Sequence, residues 1–321
     1  MTAAPYISWL GHGAADLAPP GVFTDAKAHM FAIDADQAAM QVLVDQLLNP
    51  AAGGVVSYKA ALPVAMLSFI DIAQCTSGTD VVGWLPGREC AIWVPLIEEH
   101  PGDPLRTRLV MWAPYIFISY TIGMVTGREI WGWPKVLADI AVSADDPANP
   151  QFSCTTTYFP TLAATTQGLN GTLFRIVPQG AGEGSPTIWQ SGAEALEGLL
   201  GGFLGGLAGV LINALRLRPQ APSVALKQFR QAGAAQTACY QAIVDSPIEI
   251  TAFSGGGPIF DAFSLEITTC ESHQIVRDLL GRAPDPVSTT VPVKFAAWVT
   301  MDFQALSGAD IVVAGQAAEG G

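Results

Sequence analysis

One lysine of this chain lies in a setting that suits covalent chemistry. Lys135 is one of only five lysines in 321 residues, and it ends the run GREIWGWPK, residues 127–135. Lysine is rarely buried, yet Trp131 and Trp133 precede this one and Val136 follows it. An amine in apolar surroundings loses solvation of its charged form, so its pKa falls and the free amine becomes a nucleophile. The pattern therefore permits a Schiff base with a ketone, with a lysine whose ammonium stays in water as the alternative.

The same run resembles the signature of the acetoacetate decarboxylase family. That signature reads Gly-Arg-Glu, three variable residues, an aromatic residue, Pro and Lys. Residues 76–78, Thr-Ser-Gly, followed by Glu89, are similar to the family's carboxylate-bearing segment, and residues 254–303 are weakly similar to its closing strands. The resemblance implies that Lys135 is the Schiff-base residue, with Glu89 as the carboxylate beside it.

Three positions depart from the family pattern. The decarboxylase commonly has a second lysine directly after the nucleophile, where this chain has Val136. The position of a second glutamate falls near Phe69, with Asp71 as an imperfect substitute, and the position of an arginine falls near residues 26–27, Ala-Lys. These departures argue against decarboxylation in particular, while Schiff-base chemistry is still expected.

The chemistry of a lysine imine leads to three functional hypotheses. The imine withdraws electrons, so a bound β-keto acid would lose carbon dioxide and leave an enamine. With pyruvate, the enamine would attack an aldehyde, as in an aldolase-dehydratase. A binding protein that has the cavity without turnover is the third hypothesis. Either reaction needs a proton carrier, and Glu89 is the expected one because a partly buried carboxylate serves as acid and base.

The remaining candidates are side chains that would hold or surround the substrate. Glu89 would instead be structural if it paired with its neighbour Arg88 in a surface loop. Lys27 or Arg88 is a candidate cation for a substrate carboxylate, and Arg128 would contact substrate or form an ion pair with Glu129. An apolar wall would avoid over-stabilising a carboxylate that loses its charge in the transition state. The predicted substrate-binding residues are Arg128, Arg88, Phe69, Trp131 and Trp133.

Composition limits the partners of the protein. Half of the residues are hydrophobic and 13% are charged, which favours a homo-oligomer. The net charge of −13 disfavours nucleic acid or an anionic membrane as a partner, while the resemblance implies a small keto acid. The five cysteines form no CxxC pair, and no basic apolar leader is visible, so we expect a cytoplasmic protein with reduced, mostly buried thiols. The four histidines are scattered and phosphate-binding glycine loops are absent; we expect no metal and no cofactor.

The hydrophobic pattern predicts a mainly β fold, and the resemblance implies a single acetoacetate decarboxylase-like domain over residues 1–321. Helices are expected at 36–48 and 273–281, and residues 254–258 are expected to form a turn. The strands do not alternate regularly with helices, which favours an antiparallel barrel or cone-like core with peripheral helices, as the resemblance also implies. The predicted strands are residues 62–74, 90–97, 107–122, 137–143, 152–159, 171–177, 247–253, 262–269 and 291–303.

A glycine- and leucine-rich stretch interrupts this pattern. Residues 198–215 carry no charge and have glycines at four-residue spacing, which is long enough for a membrane span. Because strands of one core lie on both sides of it, a single span would divide that core across a bilayer. We therefore expect a helical insertion at about 190–220 that makes an oligomer contact or a lid.

Overall fold

Long strands build one mixed sheet of sixteen strands among the residues that the structure describes. The structure is a computed structural model, and it describes residues 5–13, 16–143, 151–181, 188–204 and 220–313. The strands are β1 Gly21–Asp34, β2 Ser57–Ala60, β3 Val64–Ser77, β4 Leu85–Glu99, β5 Arg108–Ile118, β6 Lys135–Leu137, β7 Asp139–Ser143, β8 Gln151–Tyr158, β9 Leu169–Gly180, β10 Gln220–Ala221, β11 Ser223–Gln231, β12 Ala234–Asp245, β13 Ile248–Ile259, β14 Ala262–Thr268, β15 Ser288–Ala305 and β16 Ala309–Val313.

Short helices lie around this sheet. The first one follows Asp36, whose carboxylate accepts a hydrogen bond from Ala39 N at 2.9 Å and so satisfies a free donor of the first turn. A later one ends at Gly281, whose φ of 63° is the left-handed conformation that glycine adopts without strain. The helices are α1 Gln37–Leu47, α2 Asn49–Ala52, α3 Thr121–Thr126, α4 Gly192–Leu204 and α5 Ile275–Leu280, with a short 3₁₀ turn at Pro104–Arg106 and a π-helical turn at Gly127–Trp131.

The sheet is mostly antiparallel, and it is open. Its main path runs β16-β12-β11-β5-β4-β3-β1-β15-β14-β9-β8-β7. Among the described strands, only the pairings of β5 with β6 and with β11 are parallel. The two ends of the path, β16 and β7, do not pair with each other. The mainly β prediction is therefore confirmed, while the predicted closed barrel is not.

Most of the predicted elements are present. The helices predicted at 36–48 and 273–281 correspond to α1 and α5, and each predicted strand overlaps an observed one. The turn predicted at residues 254–258 is wrong, because these residues continue β13, which pairs with β15 through bulges that its glycines permit. Of the stretch 198–215, residues 198–204 belong to α4 and residues 205–215 lie outside the described part. Within the described part, no helix is long and apolar enough to cross a membrane.

The central strands bury side chains on both faces. One face packs a group of phenylalanine rings, with centroids of Phe31 and Phe152 5.1 Å apart and those of Phe69 and Phe174 6.1 Å apart. Fully burying a phenylalanine stabilises the fold by roughly 1.5–3 kcal/mol. The other face is lined by smaller side chains, among them Ala28 and Ile70. This second face faces the candidate active site.

Candidate active site

The GREIWGWPK run folds so that Lys135 points inwards. It covers the π-helical turn, Gly132 and the first residue of β6, which pairs with β5 through Ile116 and Lys135. Gly132 has a φ of 76°, and a side chain there would lie 2.6 Å from Lys227 Cα, so only glycine fits. At Gly127, a methyl group would lie 2.5 Å from Lys135 Cδ. The glycines of the run therefore make room for the turn and for the lysine stem.

Lys135 forms an ion pair with Glu89 on β4. The Lys135 Nζ to Glu89 Oε2 distance is 2.6 Å, and the two side chains are 5% and 17% exposed. A pair this short and this buried is a charge-assisted hydrogen bond. It excludes both structural alternatives raised from the sequence, an ammonium in water and a Glu89–Arg88 surface pair. The arrangement lets a proton pass between the amine and the carboxylate.

Two stacked tryptophans form one wall beside the amine. The ring centroids of Trp131 and Trp133 lie 4.8 Å apart, and Lys135 Nζ lies 4.9 Å from the Trp133 ring centroid. Trp131 Nε1 donates a hydrogen bond to Leu306 O at 2.8 Å. Trp133 Nε1 is buried and has no hydrogen-bond partner among the described residues. The rings keep water away from the amine and contact its charged form.

A small apolar cavity opens beside Lys135. Most of its residues come from β1, β3, β4, α3 and the π-helical turn, so the cavity lies between the sheet and the segment that carries Lys135. No group of three His, Cys, Asp or Glu side chains in the described part could hold a metal ion. The residues lining the cavity are Leu17, Gly21, Phe23, Cys75, Thr76, Leu85, Tyr120, Ile122, Gly123, Thr126, Trp131 and Lys135.

Strand register decides which candidates reach the cavity. Cross-strand partners share a face of the sheet, and Glu89 is opposite Ile70, which is opposite Ala28. Lys27, Asp71 and Arg88 form the adjacent row, on the other face. Beside the positions where the family has its arginine and second glutamate, the face of the sheet that carries Glu89 therefore bears the apolar side chains of Ala28 and Ile70.

Four residues considered from the sequence lie away from Lys135 for this reason. Phe69 is fully buried in the phenylalanine core, and it does not form the cavity wall. Arg88 Nε bonds Asp71 Oδ1 at 2.9 Å and Arg88 Nη1 bonds Ile140 O at 3.2 Å. Asp71 and Arg88 are therefore bound to each other across the sheet from the amine. Lys27 is exposed on the same face as they are.

Arg128 and Val136 also have positions that the sequence left open. Arg128 Nη1 donates a hydrogen bond to the backbone O of Lys135 at 3.2 Å, so its side chain braces the lysine segment. Val136 is 37% exposed and alternates with Lys135 along β6. The position of the family's second lysine thus faces away from the amine.

Cys75 and Tyr120 are polar cavity residues that the sequence reasoning missed. Tyr120 and Cys75 lie close enough for each to shift the pKa of the other. Burial raises the pKa of the Cys75 thiol to about 11, although Tyr120 and Lys135 oppose this shift. Burial and Cys75 also raise the pKa of Tyr120, and the Glu89 charge adds to the rise. Both groups therefore stay protonated at neutral pH. Only their position in space, beside the lysine motif, identifies them as candidate site residues.

Solved structures share this fold at low sequence identity. An acetoacetate decarboxylase from Legionella pneumophila has a TM-score of 0.60 at 14% identity, over 98% of this chain and 99% of that one. The enduracididine biosynthesis enzyme MppR, complexed with the condensation product of pyruvate and imidazole 4-carboxaldehyde, has a TM-score of 0.55 at 14% identity over 97% and 99%. An acetoacetate decarboxylase-like enzyme from Sphingomonas wittichii RW1 has a TM-score of 0.52 at 13% identity over 96% and 99%. The fold is thus of the acetoacetate decarboxylase-like class.

The sequence places the chain within that class. A sequence model of the family acetoacetate decarboxylase (ADC) matches residues 8–172, which include both Glu89 and Lys135. The chain belongs to the acetoacetate decarboxylase family. A search of curated protein sequences found no match.

Proposed function

We propose that this protein is a Schiff-base lyase that decarboxylates a β-keto acid, with Lys135 as the nucleophile and Glu89 as the proton carrier. The observation that carries the proposal is the buried 2.6 Å contact between Lys135 Nζ and Glu89 Oε2. A buried nucleophile in hydrogen-bond contact with a base is the arrangement that covalent catalysis needs. The family membership supports an enzymatic role.

The pair moves each proton of imine formation, and the later decarboxylation takes up one further proton from water. Glu89 takes a proton from the Lys135 ammonium, and the free amine adds to the substrate carbonyl. Glu89 then returns protons to the oxygen, which leaves as water while the C=N bond forms, and Glu89 is again a carboxylate. Loss of carbon dioxide moves the electron pair into an enamine. The Glu89 carboxylate takes a proton from water and passes it to the enamine carbon, before hydrolysis of the iminium frees the lysine.

The charge distribution around the cavity suits loss of carbon dioxide. Lys135 is the one cationic side chain among the described residues that line the cavity. Arg88 binds Asp71 on the other face, and Arg128 binds a backbone oxygen. A substrate carboxylate there would meet apolar groups, which do not favour the charged ground state over the transition state.

A pyruvate–aldehyde condensation is the second candidate. This candidate is supported by residues that differ from those typical of the decarboxylase. Val136 stands where the decarboxylase has a second lysine, and the cross-strand partners Ala28 and Ile70 are apolar. A structure of similar fold holds a condensation product of pyruvate. A pyruvate carboxylate would, however, need a cation that the described lining residues do not offer beyond Lys135.

Product analysis separates these functions. Acetoacetate, and separately pyruvate with imidazole 4-carboxaldehyde, is incubated with the wild type and with Lys135→Ala. Carbon dioxide release from acetoacetate that depends on Lys135 is the expected result. A condensation product without carbon dioxide release would favour the second candidate. Turnover that survives in Lys135→Ala would overturn the Schiff-base reading of both.

A further inference from the structure

The cavity contains one hydroxyl group that has no strong partner. Thr76 Oγ1 donates to Gly83 O at 3.0 Å, and Thr126 Oγ1 accepts from Leu17 N at 3.0 Å. These two hydroxyls hold backbone groups of the cavity wall. In the described part of the chain, the Tyr120 hydroxyl interacts with the Cys75 thiol, and sulfur is a weak acceptor. Its donor can therefore move to a better acceptor, such as a substrate oxygen.

Glycines fix the Tyr120 ring beside Glu89. A methyl group on Gly87 would lie 2.3 Å from Tyr120 Cε1, and one on Gly123 would lie 2.4 Å from Tyr120 Cζ. The ring thus occupies the space that two missing side chains leave. Gly87 precedes Glu89 by two residues on β4, so both lie on the same face of the strand, about 7 Å apart along it. The same Gly87 methyl would lie 3.1 Å from Cys75 Sγ.

We propose that Tyr120 is a further catalytic residue, whose phenol donates a hydrogen bond to the substrate oxygen that becomes negatively charged when Lys135 attacks the carbonyl carbon. The proposal rests on the Schiff-base function. It assigns different tasks to the two groups beside the amine. Glu89 moves protons, while Tyr120 stabilises charge without giving up its own proton, which agrees with its raised pKa.

Bonds and charges balance when Glu89 transfers the protons and Tyr120 only donates a hydrogen bond. The Lys135 nitrogen forms a bond to carbon, and the carbonyl π electrons move onto oxygen, where the Tyr120 O–H meets them. The Glu89 carboxyl group protonates this oxygen, takes a proton from nitrogen, and protonates the oxygen again as it leaves as water. The products are an iminium, one water molecule and the Glu89 carboxylate. A donor aimed at a developing oxyanion is worth about 10²–10³-fold in rate.

Tyr120→Phe tests this role, because it keeps the ring between the two glycines and removes only the hydroxyl. The matched control is Tyr115→Phe, which removes a hydroxyl bound to Asp278 on α5, outside the cavity. Acetoacetate is mixed with each protein, quenched with borohydride at successive times, and the reduced adduct is followed by intact mass. Thermal unfolding confirms that each variant is folded.

The expected result is imine formation that is slower by about 10²–10³-fold in Tyr120→Phe. The same final labelling at Lys135, and an unchanged rate in Tyr115→Phe, complete the prediction. A wild-type rate in folded Tyr120→Phe would overturn the role of Tyr120 while leaving the Schiff-base function intact. A wild type that is never labelled would overturn the Schiff-base function itself, and the Tyr120 role with it.

Discussion

The contact between Gly127 and Lys135 allows a test of the site that removes no catalytic group and only displaces the lysine. In Gly127→Ala, the new methyl group would lie 2.5 Å from Lys135 Cδ and 2.8 Å from Cε, where ordinary contact begins near 3.4 Å. The stem must then retreat by about 1 Å, and a misplacement of that size costs about 10²-fold in rate. Gly127 has right-handed helical angles, φ −59° and ψ −41°, so alanine causes no backbone strain there.

We therefore expect Gly127→Ala to lose activity without losing its fold. The rate of borohydride-trapped imine formation should fall by about 10²-fold, and the midpoint of thermal unfolding should change little. The matched control is Gly83→Ala, where a methyl group meets nothing within 4 Å and both quantities should stay unchanged. A folded Gly127→Ala protein with the wild-type rate would refute the claim that the lysine position matters.

Three further predictions concern buried charges. Glu89→Gln should slow turnover by about 10²–10⁴-fold because it removes the proton carrier; an unchanged kcat would remove Glu89 from the mechanism. Glu98 is 1% exposed and accepts hydrogen bonds from Arg108 at 2.8 and 3.1 Å, so this pair stabilises the fold. Glu98→Gln should lower the free energy of unfolding, measured with denaturant, by about 3–5 kcal/mol. An unchanged free energy of unfolding would contradict this. Burial lowers the pKa of His29 to about 4, so the unfolded chain binds the proton more tightly and stability should fall by about 3 kcal/mol as pH drops from about 6.5 to about 4. His29→Leu should lose that pH-dependent part, and a wild-type slope in the variant would contradict the assignment.

The sequence was sufficient for the lysine motif and for most strands. Strands show as a local alternation of residue types, and most sequence neighbours of Lys135 are apolar. The strands and the setting of Lys135 could therefore be predicted from adjacent residues. Glu89 was predicted from a resemblance, and its contact with Lys135 needed the pairing of β4 with β5 and of β5 with β6. The oligomeric state stays a prediction.

Register explains the candidates that the sequence misplaced. Because side chains alternate along a strand, a shift of one residue moves a group to the other face of the sheet. Phe69 and Arg88 are each one residue away from Ile70 and Glu89, which lie on the face of the sheet that carries Lys135. The position of Tyr120 could not be predicted from the sequence. Its ring fills the space beside Gly87 and Gly123, which have no side chains and lie far apart in sequence.

The most direct test of the central claim is borohydride trapping of wild-type protein and of Lys135→Ala with acetoacetate, read by intact mass and peptide mapping. We expect one reduced ketone adduct per wild-type chain, located on Lys135, and none in Lys135→Ala. An adduct on another lysine, or equal labelling of the two proteins, would contradict the assignment of Lys135 as the Schiff-base residue.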